Sequence, residues 1–357
     1  MARPDFQRPE FAGAPSATFR PAPKDGVLPE GFFSTTNLPT YVNVSGVGWQ
    51  LATRPRMDAA LVLSQTATGP VVETREGRLV RAGDAVAVAE AEDGSEGVFV
   101  HADAFLSRGG ASEFQFMATE VSRERPVDYE GIARDLVRER DAERGHLVWV
   151  VGPALVHARA RADLVWMIEH GYVGALMAGN AVAVHDIEAA LYGTTLGMNA
   201  RGVPQPRGHA LHMRAINRVR AAGSIAALVE SGEVTGGVMH ALVTRKVPFV
   251  LAGSIRDDGP LPGVLTDALA AQEAMRAHAE RATGAVLVAS ALHSIAFGNM
   301  LPAFHTTRGE PEPIVAVAVD QTEFVVSKLK DRGTHQAYGV VTNAQDFLPV
   351  LRSYLPA

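Results

Sequence analysis

Two hydrophobic patterns divide the chain. Between residues 29 and about 120, short alternating runs recur: Tyr41-Val42-Asn43-Val44, Ala60-Leu61-Val62-Leu63, Gly69-Pro70-Val71-Val72-Glu73, Ala85-Val86-Ala87-Val88 and Gly97-Val98-Phe99-Val100. A period of two turns one face of a strand toward a core. Gly-containing turns such as Glu92-Asp93-Gly94 and Arg108-Gly109-Gly110 punctuate the runs, so a small sheet or barrel is expected. From Leu147 the runs become continuously apolar, at 147–151, 173–177, 247–251, 285–289, 314–319 and 339–342. Such runs read as strands buried on both faces. Stretches of helical period lie among them at 156–170, 181–191, 209–222, 266–282 and 322–331, and another at 129–144 precedes the first.

Strands alternating with amphipathic helices predict a parallel α/β sheet with right-handed crossovers. Its ligand belongs at the carboxyl ends of the strands. Residues 1–28 show neither period and contain Pro4, Pro9, Pro15, Pro21 and Pro23. Proline removes an amide donor and disfavours helix in the residue before it, so this part reads as an extended arm or a disordered tail. The expected organisation is an arm over 1–28, a smaller mostly-β domain over 29–125 and an α/β domain over 126–357.

Composition narrows the function. A chain of 357 residues with 47% hydrophobic and 20% charged residues is that of a soluble enzyme with room for two domains. The net charge of -6, without a Lys/Arg block, argues against nucleic acid as the partner. There is no cysteine, which excludes disulfides, thiolate metal sites and thiol nucleophiles. No apolar run is long enough to span a bilayer, and the N-terminus has no apolar signal core, so a cytoplasmic protein without membrane contact is expected.

The chemistry is expected at six strand ends. The G-x-G-x-x-G fingerprint, the P-loop, the G-x-S-x-G elbow and H-E-x-x-H are all absent. Gly152-Pro153-Ala154 reads as a tight turn or as a place where backbone amides approach a phosphate at a helix start. Asn180-Ala181 leads into His185-Asp186-Ile187-Glu188, where Asp186 is either functional or favoured by the helix dipole. His209 and His212 share a helix face, which is half a metal site or polar packing; without a matching carboxylate or cysteine cluster no metal is expected. Ser254-Ile255-Arg256-Asp257-Asp258-Gly259 joins a hydroxyl, a cation and two mutually repelling carboxylates, or is a solvated turn. His293, beside Ser294, is a proton-transfer candidate because imidazole titrates near neutrality. Asp320 closes a strand, where it binds ribose hydroxyls or caps the next helix.

Read together, the motifs resemble one family. They are Gly152-Pro153-Ala154, Ala178-Gly179-Asn180-Ala181 with His185-Asp186-Ile187-Glu188, and Gly193-Thr194-Thr195-Leu196-Gly197. Further on come Gly208-His209, Ala215-Ile216-Asn217, Gly223-Ser224-Ile225, the stretch from Val250 to Pro262, Leu292-His293-Ser294-Ile295-Ala296, Gly298-Asn299, Lys328-Leu329 and Asp331-Arg332-Gly333. In the β part they are the stretch from Pro29 to Val42, Met57-Asp58, Phe116-Met117 and the run from Ser122 to Pro126. From about Val27 to the C-terminus the chain is similar to the archaeal and cyanobacterial-type ornithine cyclodeaminases, whose domain is also described as related to lysine-oxoglutarate reductase/saccharopine dehydrogenase. It departs from their pattern at Thr195, Ala210, Leu211 and His240, and a Pro-rich arm stands where they carry a further segment.

The resemblance implies a Rossmann-like NAD domain similar to that of deoxyhypusine synthase, which lacks the glycine fingerprint. It implies conversion of L-ornithine to L-proline and ammonia, with NAD regenerated in each turnover, in a buried site between the two domains. On that reading Gly152, Pro153, Asn180, Ala181, Ser254, His293, Ser294 and Asp320 bind the cofactor. Asp257, Asp258 and His293 bind amines and move protons, while Thr36, Asn37, Asp58 and Arg256 contact the substrate. A homodimer or homotetramer is expected. The alternatives are a related NAD enzyme for another amino acid or amine, and a non-catalytic NAD-binding or assembly protein.

Overall fold

The computed structural model describes residues 3–105, 127–157, 160–257, 259–323, 326–327 and 337–357. They fall into two compact units. The first takes in the chain up to Pro126 and also Asn299–Pro313; the second takes in Val127–Gly298, the chain from Ile314 to the strand that precedes the last helix, and that helix. Asn299–Pro313 therefore does not belong with the α/β part, where the apolar periods had placed it.

The first unit contains strands β1 (Thr18–Pro21), β2 (Thr40–Val44), β3 (Gly48–Leu51), β4 (Ala60–Thr66), β5 (Gly69–Arg75), β6 (Ala85–Val88) and β7 (Val98–Val100). They form an antiparallel four-stranded sheet, β1-β6-β4-β5, and an antiparallel three-stranded sheet, β3-β2-β7. Alternate residues such as Val42, Leu61, Val72, Ala87 and Val98 meet in one core, as the period of two requires.

The Pro-rich segment is not a free arm. Thr18 to Pro21 pair with Val88 to Ala85, and the Ala17 amide donates to the Asn43 carbonyl at 2.8 Å. The Asn43 side chain donates to the Ala14 and Pro15 carbonyls, and the Phe6 ring stacks on Trp49 at 5.0 Å. These partners lie far away in sequence, so no local period announces them.

The second unit holds six parallel strands: β8 (Leu147–Val151), β9 (Ala175–Gly179), β10 (Phe249–Ala252), β11 (Gly284–Val288), β12 (Val315–Asp320) and β13 (Ala337–Val341). Their order is β10-β9-β8-β11-β12-β13. The first strand of this sheet is central, the next two extend to one side and the last three to the other. This is the Rossmann order, and it reverses direction between β8 and β11, where a crevice opens for a ligand. All of Leu147–Val151 and Gly284–Val288 is buried, in agreement with the continuous apolar runs.

The strands predicted for the α/β part all occur, with ends shifted by up to two residues. The run at 173–177 becomes Ala175–Gly179, and the Gly174 amide just before it already donates to the Leu147 carbonyl of the neighbouring strand β8 at 2.8 Å. The long helix expected from 156 starts at Ala160 after a single turn over Pro153–Leu155. Most of the helix expected over 322–331 lies outside the described residues. In this unit the helices Ile225–Glu230, Val238–Thr244, Ala291–Met300 and Ala344–Tyr354 had no sequence signal. The first two are shorter than two full periods, and the last carries Pro349 in its interior, a residue that reads as a helix breaker. Among the described residues no helix is long and apolar enough to cross a membrane.

Candidate active site

Four neighbouring strand ends meet around one cavity of about 650 Å³ in the α/β unit. Strand β8 runs into Gly152-Pro153, and β9 passes directly into the helix Asn180–Tyr192. Strand β10 opens into the loop 253–261, and β11 leads through Ala289 and Ser290 into Ala291–Met300. The chain crosses itself closely where the strand order reverses. The Gly152 amide donates to the Val288 carbonyl at 2.9 Å, and a methyl group on Gly152 would overlap the Ala289 carbonyl oxygen. Ala289 adopts φ 55°, left-handed backbone that an L-residue enters only under strain. Strain of that kind concentrates at functional sites.

The cavity collects most of the strand-end residues. Pro153, Asn180, Ala181, Ser254, Arg256, Asp257 and His293 all line it. Gly152 supports the wall from behind, and Ser294 is buried outside the lining with a hydroxyl that has no hydrogen-bond partner among the described residues. Asp320 lies at the end of β12, outside the lining, and accepts hydrogen bonds from the Thr322 amide and hydroxyl. These bonds are those of a capping turn, one of its two sequence readings. Asp258 lies outside the described residues. Thr36, Asn37 and Asp58 belong to the β unit: Thr36 accepts from the Leu38 amide, and Asp58 is exposed with φ 55°.

Each wall has its own chemistry. Gly179 is the N-cap of Asn180–Tyr192 and has no side chain to bond the first-turn amides, so these donors remain free for an anion. The Asn180 side-chain oxygen Oδ1 accepts from the Leu261 amide at 3.0 Å and ties the loop 253–261 to this helix start. Within that loop Asp257 accepts from the Ser254 amide at 2.7 Å, and the Ser254 hydroxyl accepts from the Arg256 amide at 3.2 Å. On the facing helix His293 has Nδ1 3.2 Å from the Ser290 hydroxyl. Burial lowers the His293 pKa, against the pull of the nearby Asp257 carboxylate. It is a neutral imidazole in an acidic setting, suited to exchanging a proton.

Four further residues complete the walls or support them. His185, His212 and Ser290 line the cavity, and Glu188 lies buried behind His185. Glu188 accepts from the Thr194 hydroxyl and from the Leu196 and Gly197 amides, so it moulds the Gly193 to Gly197 turn that carries Leu196 to the cavity. Asp186 is fully buried and accepts from Arg161 and from the Val238 and Met239 amides, which starts the helix Val238–Thr244. The sequence offers both carboxylates as motif members, but apart from His185, three positions from Glu188, their partners are 6 to 53 positions away. Among the described residues no group of three or more potential ligands is placed to hold a metal ion.

The comparisons with known proteins agree with this architecture. Residues 130–351 match the family described as arginine dihydrolase ArgZ-like, C-terminal, Rossmann fold, and residues 39–130 match its C-terminal first region. The chain is 44% identical over 338 residues to a protein of Methanopyrus kandleri named ornithine cyclodeaminase, over 93% of this chain and 76% of that one. It is 40% identical over 342 residues to the bifunctional arginine dihydrolase/ornithine cyclodeaminase AgrE of Nostoc, over 95% of this chain but 46% of that protein. Among solved structures, an LOR/SDH protein of Methanococcus maripaludis superposes with a TM-score of 0.85 at 40% identity, covering 96% of this chain and 98% of that one. The ternary complex of AgrE with ornithine and NAD+ superposes with a TM-score of 0.59 at 38% identity, covering 96% of this chain and 46% of that one. The chain belongs to the ArgZ-like family, through the Rossmann-fold region and the region before it that the family's bifunctional members share with proteins named ornithine cyclodeaminase.

Proposed function

We propose that this chain converts L-ornithine to L-proline and ammonia in the cavity at the strand-order reversal, with NAD as a cofactor regenerated in each turnover. The observation that carries the proposal is the pairing of two walls around one space. One wall is a helix start with free amides; the other holds a carboxylate, a hydroxyl and a neutral histidine. A 44% identical relative named for this activity supports the substrate, and a 38% identical neighbour solved with ornithine and NAD+ supports the cofactor.

The residues present fit such a cofactor. The cavity of about 650 Å³ is of ligand size. In the proposed roles the first-turn amides at Asn180 and Ala181 hold the phosphates, and the turn at Gly152 and Pro153, which offers no free amide, gives them room as a close wall. Ser254, His293, Ser294 and Asp320 are the remaining candidates for cofactor contact. NAD, when bound, supplies a hydride acceptor for the substrate's α-carbon and a hydride donor for the cyclised product. Asp257 and Asp258 attract the ammonium groups, and Arg256 offers a cation to the carboxylate. His293, neutral at working pH, takes a proton from an amine. Thr36, Asn37 and Asp58 are proposed as substrate contacts on the resemblance alone.

The test is incubation of the purified chain with NAD and L-ornithine, with proline and ammonia measured directly. Absence of proline at every pH between about 7 and 10, where amines begin to lose protons, would overturn the assignment. Turnover of a different diamine under the same conditions would keep the chemistry and replace the substrate. Asp257→Asn is expected to lower kcat/KM for ornithine by roughly 100-fold, the size of a lost charge contact in a partly desolvated site.

A further inference from the structure

We propose that His185, held in one tautomer by Glu188, carries a proton between the attacking and the leaving amine of the substrate. The proposal rests on the cyclodeaminase reading above, in which His293 takes a proton from one amine, and assigns the return of a proton to the leaving nitrogen, which that reading leaves without a residue.

The reaction itself creates the need. Ornithine with two ammonium groups and one carboxylate has the same net charge as zwitterionic proline plus ammonium, so no proton is consumed overall. The oxidation and the reduction at the α-carbon cancel through the cofactor. Protons also move: the α-ammonium loses one before the hydride leaves and the ring nitrogen loses one after the N–C bond forms, and both are recovered when zwitterionic proline and ammonium are released; two further transfers belong to the exchange of amines itself. The δ-ammonium must lose a proton before its lone pair can form the new N–C bond to the oxidised α-carbon. The α-amino nitrogen must gain a proton before its C–N bond breaks and ammonia leaves with the bonding pair. One group that takes the first proton and returns it as the second closes this balance, and imidazole is suited to both halves near neutral pH.

His185 has the surroundings for that task. It lines the cavity from the helix Asn180–Tyr192, and its side chain is 11% exposed. Its Nδ1 lies 3.3 Å from Glu188 Oε2. Burial raises the Glu188 pKa, but hydrogen bonds from His185, Gly197, Thr194 and Leu196 together outweigh burial and leave it lowered. An ionised carboxylate only accepts, so Nδ1 must carry the hydrogen. The Nε2 lone pair is then the basic one. The same carboxylate stabilises the positive charge that a borrowed proton puts on the ring, the arrangement that orients catalytic imidazoles elsewhere.

The other groups around the ring do not oppose that charge. The His157 ring lies 5.0 Å away, and burial, reinforced by His185 and opposed by Glu188, lowers its pKa and keeps it neutral. Arg161, on the helix Ala160–Glu169, is paired with Asp186 at 2.7 Å. His212 faces the same cavity from the helix Leu211–Ala222. His293, by contrast, sits where burial resists protonation and only Asp257 favours it, so it is the poorer carrier.

The test uses the full chain with NAD and ornithine, wild type against His185→Gln, with His185→Asn as the second variant should the first not fold. NAD binding by calorimetry and the ornithine KM should stay within about threefold, while kcat falls by about 100-fold or more. Substrate oxidised but unable to cyclise should leave reduced nicotinamide, seen by its near-ultraviolet absorbance, and a 2-oxo acid in place of proline. Glu188→Gln, which keeps an acceptor for the turn but removes the charge, should lower kcat by about tenfold and move the acidic limb of the kcat profile to lower pH. A folded, NAD-binding His185 variant with wild-type kcat would overturn the proposal while the cyclodeaminase reading stands. A wild-type chain that makes no proline overturns both.

Discussion

At the amino end of strand β11, Thr283 is fully buried; its hydroxyl accepts from the His146 amide at 3.0 Å and its own amide donates to the His146 carbonyl at 3.1 Å. Beside them the His146 and His278 rings stack, with Nε2 and Nδ1 3.2 Å apart. At the carboxyl end of the same strand Ser290 meets His293 at a similar distance, 3.2 Å, but on the wall of a cavity. A hydroxyl residue and a histidine thus meet at both edges, through the histidine's backbone at the closed edge and through its ring at the equipped one. The difference lies in what surrounds the pair. Backbone donors at the amino edge are consumed by neighbouring strands and turns, whereas the N-terminus of Asn180–Tyr192 at the carboxyl edge has no side-chain cap. In a parallel sheet every strand feeds its helix from the same edge, so free helix N-termini gather there.

The strongest way to break the comparison is at Gly152, because there the carboxyl edge is itself structural. A methyl group on Gly152 would overlap the backbone oxygen of Ala289, and backbone cannot rotate aside. Gly152→Ala is therefore expected to cost more than about 4 kcal/mol and to leave little folded protein, read by urea unfolding. Gly179→Ala is the control at the same edge. Its methyl group would meet His293 Cε1 at 3.0 Å, a side-chain atom that can yield. That variant should fold with nearly wild-type stability and lose turnover. Equal stability for both would contradict the distinction between a strand crossing and a cavity wall.

How much of this was legible in the sequence follows the same division. Features made by contiguous residues were readable: the apolar run 147–151 coincides with β8, and the small and polar residues after each run mark Pro153, Asn180, Ser254 and His293 correctly as neighbours. Features made by distant partners were not. Asp186 looks like a helix-start residue until Val238 and Met239 arrive from 52 and 53 positions away. Asp320 ends a strand as the other candidates do, yet it lies outside the cavity lining, on β12 next to β11. Nothing local reports strand order. The Pro-rich segment failed for the same reason, since its pairing partner β6 lies 64 to 70 positions along the chain.

The amino edge can be sharpened by pH. Burial pushes the His146 pKa from 6.5 down to about 4, with Arg281 and His278 adding to the effect. A histidine whose folded pKa is below its unfolded value binds fewer protons when folded, so acid favours the unfolded chain. Stability is expected to fall as pH drops from about 6.5 through about 4 and to level off below. His146→Gln should flatten that part of the profile of thermal midpoints without changing kcat at neutral pH. A profile as steep as wild type would place the acid-sensitive group elsewhere.

The finest test exchanges the two hydroxyls that bracket β11. Thr283→Val removes the acceptor for the His146 amide in a fully buried setting and should cost about 1–2 kcal/mol, with kcat unaffected. Ser290→Ala removes the hydroxyl beside His293 in a lined cavity, where the freed ring nitrogen can take up water. It should cost less than about 0.5 kcal/mol but lower kcat by about tenfold. The two variants should therefore cross when stability is plotted against turnover: the amino-edge change moves the unfolding midpoint alone, and the carboxyl-edge change moves kcat alone. If both move together, the edges are mechanically coupled through the five residues of Gly284–Val288, and the division between a closed edge and an equipped edge fails at the one strand that belongs to both.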